Sequence, residues 1–426
     1  MSEKSAVPYG LVGRTLGHSW SPQIHARLGS TPYDLFELEP DELAGFVRGG
    51  SWAGLNVTIP YKHEAALLAD VRSTRVERLG AANTLVRQQD GSVLAENTDV
   101  LGFSWMLERF CRRELAGAPA DVLGGRDVLV LGDGGASSAV RAALEDDARA
   151  RVSVISRHGR DTYDTLLERH ADAALVVNAT PVGMYPSCPA SPLSAQTLDG
   201  LTGLLGVLDV VYNPARTGLC LAAERRGLPF ESGLSMLVAQ AFRSSELFQG
   251  RALDDALVGR IAGEIFAQTE NVVLIGMPGA GKTSCGRRFA RLLGRPFVDV
   301  DEVISTEQGR RPGQIIREDG EKAFRALESA ATGRYGARSG LVIACGGGVV
   351  TRPENYDLLH QNGRIVFLDR PLAELSAQGR PLSQARGVEQ LAAERMESYR
   401  AWADIVVSCT GSPASDAELI ASLLRV

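Results

Sequence analysis

The sequence predicts an α/β protein built largely on parallel sheets, and two observations carry that prediction. From Tyr9 onward, short apolar runs alternate with longer amphipathic ones, the pattern of strands joined by covering helices. Two of the apolar runs, Asp127 to Leu131 and Asn271 to Ile275, pass straight into glycine turns at Gly132 and Gly276. In a parallel sheet, such a turn sets backbone N–H groups at a helix N-terminus, where phosphate binds. The chain thus carries two independent nucleotide-site candidates.

Its 426 residues, 44% hydrophobic and 23% charged, suffice for two or three domains with proper cores. A net charge of -6 argues against sequence-independent nucleic-acid binding, which needs a basic face. Cys111, Cys188, Cys220, Cys285, Cys345 and Cys409 form no Cys-x-x-Cys pair and no cluster with histidine, so they read as thiols in a reducing compartment. Met1 to Gly10 holds no signal-peptide core, and no run approaches membrane-spanning length. The expectation is a cytoplasmic protein with small-molecule partners, without nucleic-acid or membrane partners. Its oligomeric state is left open, a homo-oligomer included.

The segment Leu115 to Gly125 reads as a connection into a second domain, and the polar break at Ala267 to Asn271 marks the major boundary. Near the start stands Gly17-His-Ser19-Trp-Ser21-Pro22, which alone is an ordinary serine-proline turn. Further along come Gly54-Leu-Asn-Val-Thr58-Ile-Pro60-Tyr-Lys62, Gly80-Ala-Ala-Asn83-Thr84, Asn97-Thr98-Asp99 and Met236-Leu-Val-Ala-Gln240. Together, and in this order, they resemble the motifs of shikimate dehydrogenases. Oxidising or forming a secondary alcohol needs a group that moves the hydroxyl proton while hydride moves on carbon. The resemblance implies that Lys62 and Asp99 do this, and that Ser19, Ser21, Thr58, Asn83, Tyr212 and Gln240 bind the substrate with them. Serine at both Ser19 and Ser21 favours shikimate over quinate. Ser235 stands where the family usually has glycine, at the cofactor edge.

The turn Gly132-Asp133-Gly134-Gly135-Ala136 is similar to that family's dinucleotide loop, with Asp133 in place of a small residue. An aspartate beside a pyrophosphate is repulsive unless it points away. The strand Val152 to Ile155 leads into Ser156-Arg157-His-Gly-Arg160, and arginine there suits a 2′-phosphate, so NADP is favoured over NAD. Asn178-Ala-Thr180-Pro-Val-Gly-Met184 and Asp209-Val-Val-Tyr212 match family segments at the nicotinamide end, and Gly233 joins the expected NADP contacts.

In the last third, Gly276-Met-Pro-Gly279-Ala280-Gly281-Lys282-Thr283 matches the P-loop pattern after an apolar strand. Its backbone, with Ser284, is expected to cradle ATP; Lys282 should reach the β and γ phosphates, and Thr283 should hold Mg²⁺. Beyond it, Asp299-Val-Asp301, Gly320-Glu-Lys-Ala-Phe-Arg325 and Gly346-Gly347-Gly348 resemble shikimate kinases. That resemblance implies Asp299 at the metal, Asp301 at the substrate hydroxyls, and Arg325, Arg380 and Arg395 at the substrate carboxylate, for which a fork-shaped guanidinium is suited. The stretch Leu372 to Arg380 is short for that family and lacks the extra arginine usually presented to ATP.

The expected architecture is a dehydrogenase substrate domain at 1–117 and 233–268, an NADP-binding Rossmann domain at 118–232, and a P-loop kinase domain at 271–426. Together they imply reduction of 3-dehydroshikimate to shikimate with NADPH, then phosphorylation with ATP. The rival expectations are a non-catalytic sensor of these intermediates and a chain with only one live half; the retention of Lys62, Asp99, Lys282 and Thr283 argues against the sensor.

Overall fold

A computed structural model describes residues 9–17, 19–375 and 387–425. Its contacts divide the chain into two compact units. The first spans Met1–Val182, Ser191–Tyr212 and Ala222–Ile265; the second spans Gly183–Ala190, Asn213–Leu221 and Phe266–Val426.

The first unit holds two six-stranded sheets. One runs β2-β1-β3-β5-β6-β4, from β1 (Tyr9–Gly13), β2 (Tyr33–Glu37), β3 (Gly54–Val57), β4 (Val71–Arg72), β5 (Thr84–Arg87) and β6 (Val93–Glu96). It is mixed: β3 pairs antiparallel with β5, and β5 with β6. The antiparallel pairing has a local cause: the chain between β5 and β6 is a tight turn closed by Asp90 on Ser92, too short for a crossover.

The other sheet is parallel throughout, with order β12-β11-β10-β7-β8-β9, from β7 (Asp127–Leu131), β8 (Arg151–Ser156), β9 (Asp161–Thr162), β10 (Leu175–Asn178), β11 (Gly206–Asp209) and β12 (Phe230–Ser232). Val128 to Leu131 are fully buried, as strands covered on both faces must be. The chain moves from β7 to β8 on one side and later to β10 on the other, so β7 ends at a topological switch point, where such sheets bind ligands. The connection read at Leu115 to Gly125 contains a short helix, Pro119–Leu123.

The second unit carries a parallel sheet, β14-β15-β13-β16-β17, built from β13 (Asn271–Ile275), β14 (Phe297–Asp299), β15 (Val342–Ala344), β16 (Gly363–Asp369) and β17 (Ile405–Ser408). Buried Val272 to Ile275 form the centre of its core with Phe289, Ile343, Val366 and Tyr399. The P-loop follows β13 and opens the helix Lys282–Leu293. Helix Ala256–Thr269 runs up to β13 with only Glu270 between, which shortens the expected polar break. Among the described residues, no helix is long and apolar enough to cross a membrane, and all six cysteines are free thiols.

Candidate active sites

In the first unit, Ser19, Ser21, Thr58, Lys62, Asn83, Asp99, Tyr212 and Gln240 all line one cavity of about 220 Å³, with Ala136 and Gly233. Local structure explains the placement. Lys62 opens the helix Lys62–Leu68 after β3, and Asp99 lies in the first turn of the helix Thr98–Glu114, whose N-cap is Asn97. Lys62 Nζ donates to Asp99 Oδ2 at 2.6 Å, and Asn83 Nδ2 donates to Asp99 Oδ1 at 2.9 Å. The carboxylate is held on both oxygens, with the amine at the cavity wall. Burial pushes the Tyr212 phenol up, so it stays a hydrogen-bond donor. Asn56 also lines the cavity, though the sequence reading passed over it. Strand alternation puts it on the same face as Thr58, a signal present in the motif.

The glycine turn sits where a dinucleotide is expected. Gly132 has φ 98, and a Cβ there would lie 2.7 Å from Thr180 Cγ2, so only glycine lets the turn approach the end of β10. Thr180 is pinned by its hydroxyl donating to Asn178 Oδ1 at 2.6 Å. Gly134 caps the helix Gly135–Asp146, whose N-terminus faces the turn. Ser156 and Arg160 line a cavity of about 690 Å³ together with Asp133, Arg141 and Arg169, while Arg157 is exposed beside it. Asp133 is exposed and does not line the substrate cavity. Ser235 turns inward to bond Glu231 and does not line that cavity either.

In the second unit, Gly279, Gly281, Lys282, Thr283, Ser284, Asp299, Asp301, Arg325 and Gly346 to Gly348 line one cavity of about 910 Å³; Ala280 is buried beneath it. Lys282 Nζ donates to the carbonyls of Gly276 and Met277 at 2.8 and 3.0 Å. Thr283 Oγ1 donates to Asp299 Oδ2 at 2.6 Å, and Asp299 Oδ1 caps the helix Val300–Gln308 through the N–H groups of Asp301 and Glu302. Mg²⁺ takes one or two protein oxygens plus phosphates and water. Thr283 and Asp299 supply that number, so the residues fit the ion.

The triple glycine is explained by close approach. A Cβ on Gly346 would lie 2.3 Å from Glu328 Oε1, on Gly347 2.6 Å from Pro278 Cγ, and on Gly348 2.0 Å from the Arg325 guanidinium. Of the three arginines read from sequence, Arg325 lines the cavity. Arg395 does not: it is buried behind the glycine loop and donates to Gly347 O at 3.0 Å, beside Tyr399, which bonds the same carbonyl. Arg380 lies outside the described residues. Glu328, which the sequence reading missed, is fully buried and accepts from Arg325 Nη1 at 2.6 Å. Its signal was present, since a glutamate three residues after an arginine on a helix shares its face. Asp301 is pushed up to about 6, first by burial and then by the carboxylates of Glu328 and Asp299. Its Oδ1 is shielded from solvent and makes no hydrogen bond within the described residues.

Comparison with known proteins matches residues 11–85 to the shikimate dehydrogenase substrate-binding domain and residues 278–425 to shikimate kinase. The chain is 36% identical over 279 residues to shikimate dehydrogenase (NADP(+)) of Oleidesulfovibrio alaskensis, covering 61% of this chain and 95% of that protein. Among solved structures, it is similar to a chorismate mutase/shikimate 5-dehydrogenase fusion protein from Clostridium acetobutylicum, with 31% identity and a TM-score of 0.55 over 61% of this chain and 97% of that one. It is also similar to shikimate 5-dehydrogenase of Thermus thermophilus in complex with NADP(H) and shikimate, with 30% identity and a TM-score of 0.51 over 61% and 99%. The chain belongs to the shikimate dehydrogenase family over the region these relatives cover, and it carries a shikimate kinase domain behind it.

Proposed function

We propose that this bifunctional enzyme of the shikimate pathway reduces 3-dehydroshikimate to shikimate with NADPH, and then transfers the γ-phosphoryl group of ATP to a shikimate hydroxyl. The observation that carries the reading is the gathering of the eight nominated substrate and proton-handling residues around one cavity, with Lys62 and Asp99 paired at its wall. In the first step, NADPH supplies the hydride to the carbonyl carbon. The Lys62–Asp99 pair supplies the proton to the oxygen, which becomes the new hydroxyl. Ser19, Ser21, Thr58, Asn83 and Gln240 bind the carboxylate and remaining hydroxyls, and Tyr212 donates to the substrate from the same cavity lining.

In the second step, a shikimate hydroxyl forms a bond to the γ-phosphorus as the bond to ADP breaks, with its proton directed at Asp301. Catalysis here is positioning and charge neutralisation. Lys282 and the P-loop hold the phosphates, Thr283 and Asp299 hold Mg²⁺, and Arg325 holds the carboxylate, kept in place by Glu328. We assign residues 1–117 and 233–268 to the substrate domain, 118–232 to the NADP-binding domain and 271–426 to the kinase. The six free thiols support a cytoplasmic setting.

The test is to supply 3-dehydroshikimate, NADPH, ATP and Mg²⁺ to the whole chain, following NADPH loss and shikimate 3-phosphate together. Both signals are expected. NADPH loss without phosphate transfer, even from added shikimate, would refute the kinase half; binding of shikimate with neither signal would make the chain a sensor.

A further inference from the structure

Behind the cavity of the first unit lie three hydroxyls that do not line it, Thr84 on β5, Thr98 opening the helix Thr98–Glu114, and Ser244 on the helix Leu234–Gln249. Each is 0% exposed. Their oxygens form a triangle, with Thr84 to Thr98 at 3.1 Å, Thr84 to Ser244 at 3.0 Å and Thr98 to Ser244 at 3.1 Å. We propose that this triangle, organised by Ser244, positions Asn83 and through it the Lys62–Asp99 pair, making Ser244 a positioning residue for a reaction it does not touch. The proposal rests on the reading of Lys62 and Asp99 as the proton-handling pair.

The donor count supports it. Tyr33 donates to Asn56 Oδ1 at 2.9 Å, which turns the Asn56 amide so that Nδ2 donates to Ser244 Oγ at 2.8 Å. Ser244 sends its own proton to the Gln240 carbonyl at 2.9 Å, one helical turn back. Its oxygen is therefore an acceptor, open to one threonine proton besides the Asn56 amide. The other threonine proton has two near acceptors, the neighbouring threonine oxygen at 3.1 Å and Asn83 Oδ1, which lies 3.1 Å from Thr98 Oγ1 and 3.2 Å from Thr84 Oγ1. That oxygen also takes the Thr98 N–H at 2.6 Å. With Oδ1 committed to donors on the inner side, the Asn83 amide has one orientation, Nδ2 outward onto Asp99 Oδ1. The Asp99 carboxylate is thereby aimed with Oδ2 at Lys62. Removing the Ser244 hydroxyl takes the nearest acceptor from the Asn56 amide, which keeps Thr84 Oγ1 at 3.2 Å, and turns the threonine proton that Ser244 accepted toward the other threonine or Asn83 Oδ1. The lock on Asn83 loosens while the cavity lining keeps every side chain.

The experiment is steady-state kinetics on the whole chain. Ser244→Ala is expected to lower kcat for dehydroshikimate reduction about tenfold, with KM within about threefold, as small misplacements of reacting groups do. Phosphorylation of added shikimate, which the second unit performs, should be unchanged, an internal control for the amount of chain assayed. Ser245→Ala is the matched control: it removes the neighbouring buried serine of the same helix, which bonds His25 and Ser30 instead. It should leave kcat within about twofold. On an Asp99→Ala background, Ser244→Ala should cost nothing further, because the two act through one pair. If Ser244→Ala does not fold, the near-isosteric Thr84→Val should show the same loss. Equal losses from Ser244→Ala and Ser245→Ala, an unchanged kcat in Ser244→Ala beside an inactive Lys62→Ala, or multiplying losses on the Asp99→Ala background would overturn the triangle's role alone. Full reduction by Lys62→Ala and Asp99→Ala would overturn the reading beneath it as well.

Discussion

Lys62 Nζ and Asp99 Oδ2 lie 2.6 Å apart at the wall of a cavity, with less than a fifth of either side chain exposed. An exposed ion pair contributes little to stability, and a largely buried one such as this must also offset the desolvation of both charges. At a cavity wall, the value we propose for it is chemical. Lys62→Ala or Asp99→Ala is expected to lower kcat for dehydroshikimate reduction by about 10²–10⁴-fold, the range of a lost acid–base group. Phosphorylation by the same preparation should be unchanged.

The converse holds for Lys282, whose amine bonds the P-loop carbonyls of Gly276 and Met277. Lys282→Ala is expected to abolish measurable phosphate transfer from ATP while NADPH oxidation continues at the parental rate. A coupled assay on one sample reads both.

At the end of β8, Arg157 is exposed, and Ser156 and Arg160 line the neighbouring cavity. A hydrogen bond to a charged group contributes about 1.5–3 kcal/mol, so Arg157→Ala should raise KM for NADPH by about 10- to 100-fold. KM for NADH, which has no 2′-phosphate, should move far less. Asp133→Ala, which removes a negative charge from the same cavity, should lower KM for NADPH.

Asp301 supplies a pH prediction. An ionised carboxylate accepts from a hydroxyl more strongly than the neutral acid does, and this one is pushed up from 3.8 to about 6. Shikimate affinity of the kinase site, measured by titration calorimetry without nucleotide, should fall below pH 6 and level off above it. For stability, the sign is reversed. The folded chain holds this proton more tightly than the unfolded chain, so stability is lost as pH rises from about 4 to about 6. Asp301→Asn removes that loss. It is expected to raise Tm at pH 8 while abolishing phosphorylation, a trade of stability for function.

Gly348 faces the Arg325 guanidinium so closely that a Cβ would sit 2.0 Å from it. Gly348→Ala forces that side chain to move, at an overpacking cost of about 1–3 kcal/mol. KM for shikimate in the kinase reaction should rise, with KM for ATP little changed, which initial-rate kinetics at varied substrate will show.

Where chemistry follows from local geometry, the sequence was a sufficient guide. The strands at Asp127–Leu131 and Asn271–Ile275 were readable to the residue, because an apolar run ending in a glycine turn leaves one interpretation. Lys62 and Asp99 were readable from their motifs, each anchored to the start of a helix. Asn56 and Glu328 were within reach of strand alternation and helix spacing.

The sequence by itself determined the fold class, the two glycine turns that open helices and the residue types available at each cavity, since these depend on short-range patterns of apolar, glycine and capping residues. Tertiary structure alone decided which of those residues meet. Arg395 passed behind the glycine loop while Arg325 reached the cavity, and Ser235 turned to Glu231. Three hydroxyls from a strand and two helices, the most distant 160 residues apart in sequence, closed into a triangle behind Asn83. The physical reason is that packing directions and hydrogen-bond partners are set by which elements become neighbours. No local pattern around Thr84, Thr98 or Ser244 records that they share one buried site.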